Sequence, residues 1–174
     1  MRTPQSRGPF VVALWNFSWV IPKKLAGSSR PGSYNDENDD YVRSDLKELH
    51  AHGVRCLISL HQMNDRFGGI AKECGLIWIH HPIRDFSVPT DRQAFTSMVD
   101  ASIRYMDSNK PVCVHCQAGI GRTGLMLACI VGVYLKIGPK LSLATVRKCR
   151  LAIDTEDQEE FVYEFLKDNA PHEK

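Results

Sequence analysis

The chain has 174 residues, 43% of them hydrophobic and 24% charged, a size and balance that fit one soluble globular domain and leave little room for a second. At this length folding hides roughly 70% of the unfolded chain's surface, so a core forms without metal or disulfide staples. Twenty-two Lys plus Arg against 20 Asp plus Glu leave a formal net charge of +2, which excludes a global field for nucleic acid or an anionic membrane and requires any bound anion to be gripped locally.

Residues 9–21, PFVVALWNFSWVI, follow two arginines, as the apolar region of a signal peptide would. Asn16 and Ser18 interrupt the run, no small-residue cleavage site follows closely, and the stretch is too short to span a bilayer. It is read as a buried first strand near 17–21, after a frayed stretch over 1–9. A turn-rich acidic segment, SSRPGSYNDENDD, leads into a helix over 41–52 ended by Gly53, the acidic run lying in solvent or at the helix start, where it favours the N-terminal dipole. Strands follow near 55–60 and 76–83. Thr90 is placed to cap a helix on which Phe95, Met98, Val99, Ile103 and Met106 recur at helical spacing and form one buried stripe. A strand near 111–115 then runs into AGIGRTG, and LMLACIVGVYLK after it is apolar nearly all round, as a helix buried at the centre of a domain must be. Helices over 142–151 and 156–167 complete a single domain over 10–170, with the last four residues frayed and no internal repeat. The strand-helix alternation is that of a layered α/β domain with a largely parallel sheet.

The informative segment is PVCVHCQAGIGRTG, in which an apolar strand ends in Cys116, a loop with two glycines follows, and Arg122 and Thr123 open the buried helix. Glycines let successive backbone N–H groups turn inward as a nest, and the helix N-terminus aims partial positive charge at the same point. A phosphate dianion fits both. The Arg122 guanidinium can take two phosphate oxygens at once, which a lysine could not, and the same field favours thiolate over thiol at Cys116. The spacing thus describes an anion cradle with a nucleophile in its floor.

HCQAGIGRTG resembles the phosphate-binding signature of the cysteine-dependent protein tyrosine and dual-specificity phosphatases: His, Cys, five residues, Arg, then Ser or Thr. NFSWVIPKKLAG, GVRCLISL, the segment before the helix at 91 and the end from Ile153 are similar to the small VHZ-type atypical members. The resemblance implies a three-layer α/β/α fold, a mostly parallel sheet of about four to five strands flanked by helices. It also implies a set of roles. Cys116 would attack phosphorus to give a cysteinyl-phosphate while Arg122 and the loop residues Gln117, Ala118, Gly119, Ile120 and Gly121 hold the equatorial oxygens. His115 would order the loop and help set the thiolate, and the Thr123 hydroxyl would point back at the sulfur. Asp85, in HHPIRDFSVPT and 31 residues before Cys116, would be the general acid that protonates the leaving oxygen. Gln158 occupies the place of the family's water-positioning glutamine.

Plainer readings stand beside these. Asp85 also suits a turn aspartate, with Asp91 and Asp65 as weaker rivals for the acid. Gln158 also completes a capping box from Thr155, and the two roles are compatible. Cys113 and Cys116 form a C-x-x-C, but no second pair supplies four metal ligands and residues three apart on a strand face opposite sides, so no metal is expected. Cys113 or another cysteine would be a partner if Cys116 were oxidised, without the sequence saying which. Of His80 and His81, one is expected packed and one exposed. The six cysteines, Cys56, Cys74, Cys113, Cys116, Cys129 and Cys149, lack the spacing of a secreted disulfide scaffold and indicate a reducing compartment, the cytoplasm with the nucleus as a second address.

The expected activity is therefore hydrolysis of phosphotyrosine, with phosphoserine and phosphothreonine as further substrates, needing no cofactor. The expected partners are phosphorylated proteins, with no nucleic acid and no membrane, and the expected state is a monomer. Two alternatives remain: a phosphatase of a non-protein phosphate, such as an inositol lipid or an RNA 5′ end, and a phosphate-binding pseudoenzyme. The absence of lysine between Cys116 and Arg122 demotes lipids, and intact Cys116 argues against the pseudoenzyme. One departure from the VHZ-type pattern is clear. Thr-Glu after the second strand is replaced by His61-Gln62, which puts in doubt any glutamate role in positioning Arg122.

Overall fold

Short apolar stretches too brief for helices pair into a five-stranded sheet in the computed structural model, which describes residues 14–33 and 38–169. The expected frayed stretches over 1–9 and 171–174 lie outside the described residues, as does part of the acidic run. In chain order the elements are β1 (Ser18–Ile21), β2 (Leu25–Ser28), α1 (Asp39–Ala51), β3 (Cys56–Ser59), α2 (Phe67–Glu73), β4 (Ile77–His80), α3 (Arg92–Asp107), β5 (Val112–His115), α4 (Gly121–Leu135), α5 (Pro139–Cys149) and α6 (Glu156–Asn169). The sheet order is β1-β2-β5-β3-β4, antiparallel between β1 and β2 and parallel elsewhere. This is the expected α/β architecture.

Side chains alternate across the sheet with the period of two that strands impose. Leu25, Cys56, Ile58, Val112 and Val114 enter the core shared with α3, α4 and α6, whereas Ala26, Leu57 and Cys113 enter the smaller core under α1 and α2. Helices therefore cover both faces, as parallel sheets require. Helix α4 is buried from Gly121 through Gly132, which accounts for its apolar sequence on every side. Among the described residues no single helix is long and apolar enough to cross a membrane.

Several boundaries differ from the sequence reading. The first strand is not the buried one: in β1 only Val20 is buried, whereas all of β2 is. Leu25-Ala26-Gly27-Ser28 gives no strand signal in the sequence, because a strand covered on both faces shows no alternation and its small residues carry little strand propensity. Helix α2 gives no helical signal in the sequence because Gly68 and Gly69 weaken it. Asp91, not Thr90, caps α3, its side chain accepting from Ala94 N at 2.8 Å. Asn38 caps α1, and Asp39 and Asp40 fill the first turn as the dipole favours. Helix α5 begins three residues earlier than expected because Pro139 starts it.

Candidate active site

The parallel register places Ser28, His115, Ser59 and His80 in one row across the C-terminal ends of β2, β5, β3 and β4. Ligands of open α/β sheets bind outside these ends, where the strand order reverses. Here the chain leaves β5 through Cys116 and returns into α4 through the loop 117–120.

That loop is bent by Gly119, whose φ of +75° and close approach to the Ser28 carbonyl exclude a side chain. Cys116 lies at its base, 3% exposed. Its neighbour His115 is fully buried and bonded at both nitrogens: Nδ1 lies 3.0 Å from Cys116 O and Nε2 lies 2.6 Å from Ser59 Oγ. A carbonyl only accepts, so Nδ1 carries the proton and donates. Nε2 of the neutral ring then accepts from the Ser59 hydroxyl, whose oxygen in turn accepts from Trp78 Nε1 at 2.8 Å. Burial pushes the His115 imidazolium down to about 3 from the ordinary 6.5, so this chain is fixed in one proton arrangement at neutral pH. Ser59 and Trp78, which hold the His115 ring in this chain of hydrogen bonds, carry no signal in the motif.

Arg122, in the first turn of α4 and only 3% exposed, reaches past the cradle to the loop after β4. Its Nη1 donates to Ile83 O at 2.9 Å and Leu60 O at 3.4 Å, and its Nη2 lies 2.9 Å from Asp85 Oδ1. The carbonyls of Leu60 and Ile83, after β3 and β4, hold the guanidinium, and His61 and Gln62, where the VHZ-type pattern has Thr-Glu, supply no carboxylate. Asp85 itself is exposed. Next to it Phe86 adopts φ +55° while donating its N–H to Asp85 Oδ1 at 3.1 Å, and a bulky residue in the left-handed region stores strain on the order of 1–3 kcal/mol. Asp91 is occupied as the cap of α3, which leaves Asp85 as the aspartate brought to Arg122.

Gln158 is completely buried at the start of α6. Its N–H donates to Thr155 Oγ1 at 3.2 Å, one half of the expected capping box, but its Oε1 accepts from Asp154 N at 3.0 Å instead of from Thr155 N. Its Nε2 donates to Ser87 O at 3.2 Å. The amide therefore clamps the Asp85 loop onto α6. Thr123 Oγ1 is buried and makes no hydrogen bond, to the Cys116 sulfur or to any other described group, so the expected contact with the sulfur is not formed here.

The C-x-x-C cysteines do not face one another: Cys113 belongs to the core under α1 and α2, Cys116 to the other. Burial pushes the Cys113 thiol up to about 11, and its Sγ lies 3.5 Å from Ser28 Oγ. Both His80 and His81 are partly buried, not one packed and one exposed. Among the described residues no group of three or more His, Cys, Asp or Glu is placed to hold a metal ion.

Two further residues reach the cradle without any signal in the motif. Asn16 Nδ2 donates to Ala118 O at 2.9 Å, and Arg150 Nη2 donates to Gly119 O at 2.7 Å. Their separations of 102 and 31 residues from their partners put them beyond local pattern reading, although Asn16 opens the NFSW stretch that carried part of the resemblance.

Comparison with known proteins agrees with this fold. A family model described as a polymorphic toxin system DSP-PTPase phosphatase matches residues 26–134. The human protein named cyclin-dependent kinase inhibitor 3 is 29% identical over 138 residues, which are 77% of this chain and 59% of the relative; the chain spans about half the length of the curated relatives it matches. Among solved structures, a kinase-associated phosphatase whose catalytic-site cysteine is replaced by serine superposes with a TM-score of 0.75 at 22% identity, covering 91% of this chain and 98% of that one. The fold is likewise that of PTPMT1 crystallised with PI(5)P, at TM-score 0.69 and 17% identity over 88% of this chain and 96% of that one.

Proposed function

The chain belongs to the DSP-PTPase phosphatase family, and from that premise we propose that it hydrolyses phosphate monoesters on proteins, on tyrosine and also on serine or threonine, through a cysteinyl-phosphate on Cys116. One observation carries the reading. The Arg122–Asp85 contact of 2.9 Å joins the helix start that closes the Cys116 loop to a carboxyl group 31 residues before Cys116.

In the first step the Cys116 sulfur forms a bond to phosphorus as the ester P–O bond breaks, and protonated Asp85 gives its proton to the departing oxygen. Arg122 and the inward N–H groups of the loop hold the three equatorial oxygens throughout. In the second step water attacks phosphorus, Asp85 takes its proton, and the thiolate leaves, with the buried Thr123 hydroxyl, unpaired among the described residues, turning to donate to it. The Arg122–Asp85 pair is open to solvent on the Asp85 side, where water screens it. A substrate dianion that offers two oxygens to the same guanidinium displaces Asp85 and frees it for the leaving group. The Gln158 clamp on Ser87 O limits how far the displaced loop travels.

The test is hydrolysis of an aryl phosphate and of phosphotyrosine and phosphothreonine peptides in the presence of a chelator. Turnover is expected in the parent, inhibited by vanadate and abolished by Cys116→Ser and Arg122→Lys. Full activity in Cys116→Ser would refute the mechanism, and turnover confined to lipid or RNA 5′ phosphates would refute the substrate class.

A further inference from the structure

Arginine 150 lies at the end of α5, remote in sequence from the cradle, yet it and Arg122 are the buried arginines of the described residues. Its three acceptors are all neutral: Gly119 O at 2.7 Å, Asn16 O at 3.1 Å and Ser18 Oγ at 2.9 Å. Among the described residues no carboxylate pairs with it. The guanidinium also claims space, since a Cβ on Gly27 would stand 2.5 Å from Arg150 Nη1, so strand β2 carries a glycine where Arg150 passes. A buried cation held only by neutral acceptors is costly unless an opposite charge lies near. Burial accordingly lowers the guanidinium from its usual range, with Cys113, Cys116 and Cys149 as the groups acting in the opposite sense.

The hydrogen bonds explain what this cost secures. In each planar peptide unit the C=O of one residue and the N–H of the next point in opposite directions. Four successive carbonyls of the loop are tied from outside it: Gln117 O accepts from Arg30 N at 3.0 Å, Ala118 O from Asn16 Nδ2 at 2.9 Å, Gly119 O from Arg150 Nη2 at 2.7 Å, and Ile120 O from Ile153 N at 3.2 Å. Each tie turns the following N–H, at Ala118, Gly119, Ile120 and Gly121, toward the opposite side, where the Arg122 helix end also points. Two donors of this set depend on left-handed residues, Asn16 at φ +56° and Ile153 at φ +77°, conformations that a β-branched residue in particular adopts only when its surroundings require it.

Resting on the phosphatase reading above, we propose that Arg150 and Asn16 are positioning residues for phosphate hydrolysis: they hold the peptide planes of the cradle so that its N–H groups converge on the phosphate, and the buried charge of Arg150 is balanced by the anion held there. Neither touches substrate. Arg150 adds positive potential from behind the loop, in a low-dielectric setting where such potential acts strongly, and Asn16 contributes orientation without charge.

The experiment measures vanadate inhibition constants, kcat and KM for an aryl phosphate, and thermal midpoints of the parent, Arg150→Met, Arg150→Lys and Asn16→Ala. Arg150→Met is expected to weaken vanadate inhibition by about tenfold or more with kcat falling more than KM rises, as for loss of a group that acts on the transition-state anion. Arg150→Lys restores part of the vanadate affinity because the charge remains while the three-acceptor fork is lost. Asn16→Ala weakens vanadate severalfold at unchanged charge. If Arg150→Met does not fold, Arg150→Lys and Asn16→Ala decide the matter. Parent-like vanadate constants and kcat in these folded variants, whatever their thermal midpoints, would overturn the inference while leaving the phosphatase reading intact. A parent that neither binds vanadate nor turns over substrate would overturn both.

Discussion

In the proposed mechanism Asp85 serves two states of the site. As a carboxylate it pairs with Arg122 at 2.9 Å; as a carboxylic acid it has a proton to give. The two uses exclude each other, so its contribution to rate depends on how badly the leaving group needs that proton. Asp85→Asn is expected to lower kcat about 10²–10⁴-fold on alkyl phosphates, the usual worth of a general acid, and far less on p-nitrophenyl phosphate, whose leaving group departs unprotonated. Equal losses on both would reject Asp85 as the acid. Cys116 and Arg122 are legible in the sequence as site candidates because the loop between them is a local structure: a strand end, glycines and a helix start within one run from His115 to Gly124. Ser59, Trp78, Asn16 and Arg150 were not legible, because each acts through a hydrogen bond to a residue far along the chain, and no composition or period marks them.

At the scale of elements, the α3 N-terminus shows how closely spaced alternatives are resolved. Thr90 and Asp91 are both cap-type residues, and the sequence reading favoured the first. The structure gives the role to Asp91, whose φ and ψ of −99° and 95° leave its carboxylate at Ala94 N; a carboxylate also complements the helix dipole better than a hydroxyl does. Asp91→Ala should therefore lower stability by about 1 kcal/mol whereas Thr90→Ala changes it little, which urea denaturation of the two variants distinguishes; the reverse ranking would return the cap to Thr90. The long helices were read correctly because burial of one face, or of every face in α4, writes a periodic or continuous apolar signal. The short, doubly covered β2 and the two-glycine α2 write none, and β1 was misjudged as buried because its apolar residues precede a strand that takes the interior place.

For the molecule as a whole, His115 links stability to acidity. Its folded value of about 3 lies below the ordinary 6.5, so between these values the unfolded chain binds a proton that the folded chain refuses. Stability from this group is therefore complete above about 6.5, and is lost as pH falls toward 3, by at most about 1.4 kcal/mol per pH unit. Urea midpoints measured from pH 7 to pH 4 should fall, and should fall less steeply in His115→Asn; identical slopes would show that His115 is not the group responsible.

The strand order carries a consequence for how the chain reaches its native state. Because β5 lies between β2 and β3, the strands made before it form two separate pairs, β1-β2 and β3-β4, with no hydrogen bonds between them. Strand β5 is the keystone that joins these halves, and closing it in place draws together segments distant along the chain, the costly and slow kind of step in folding. The strand that delivers Cys116 is thus also the one that completes the sheet. Assembly of the loop 117–120 and assembly of the fold become a single event, and under the proposed function recovery of vanadate binding would report on both.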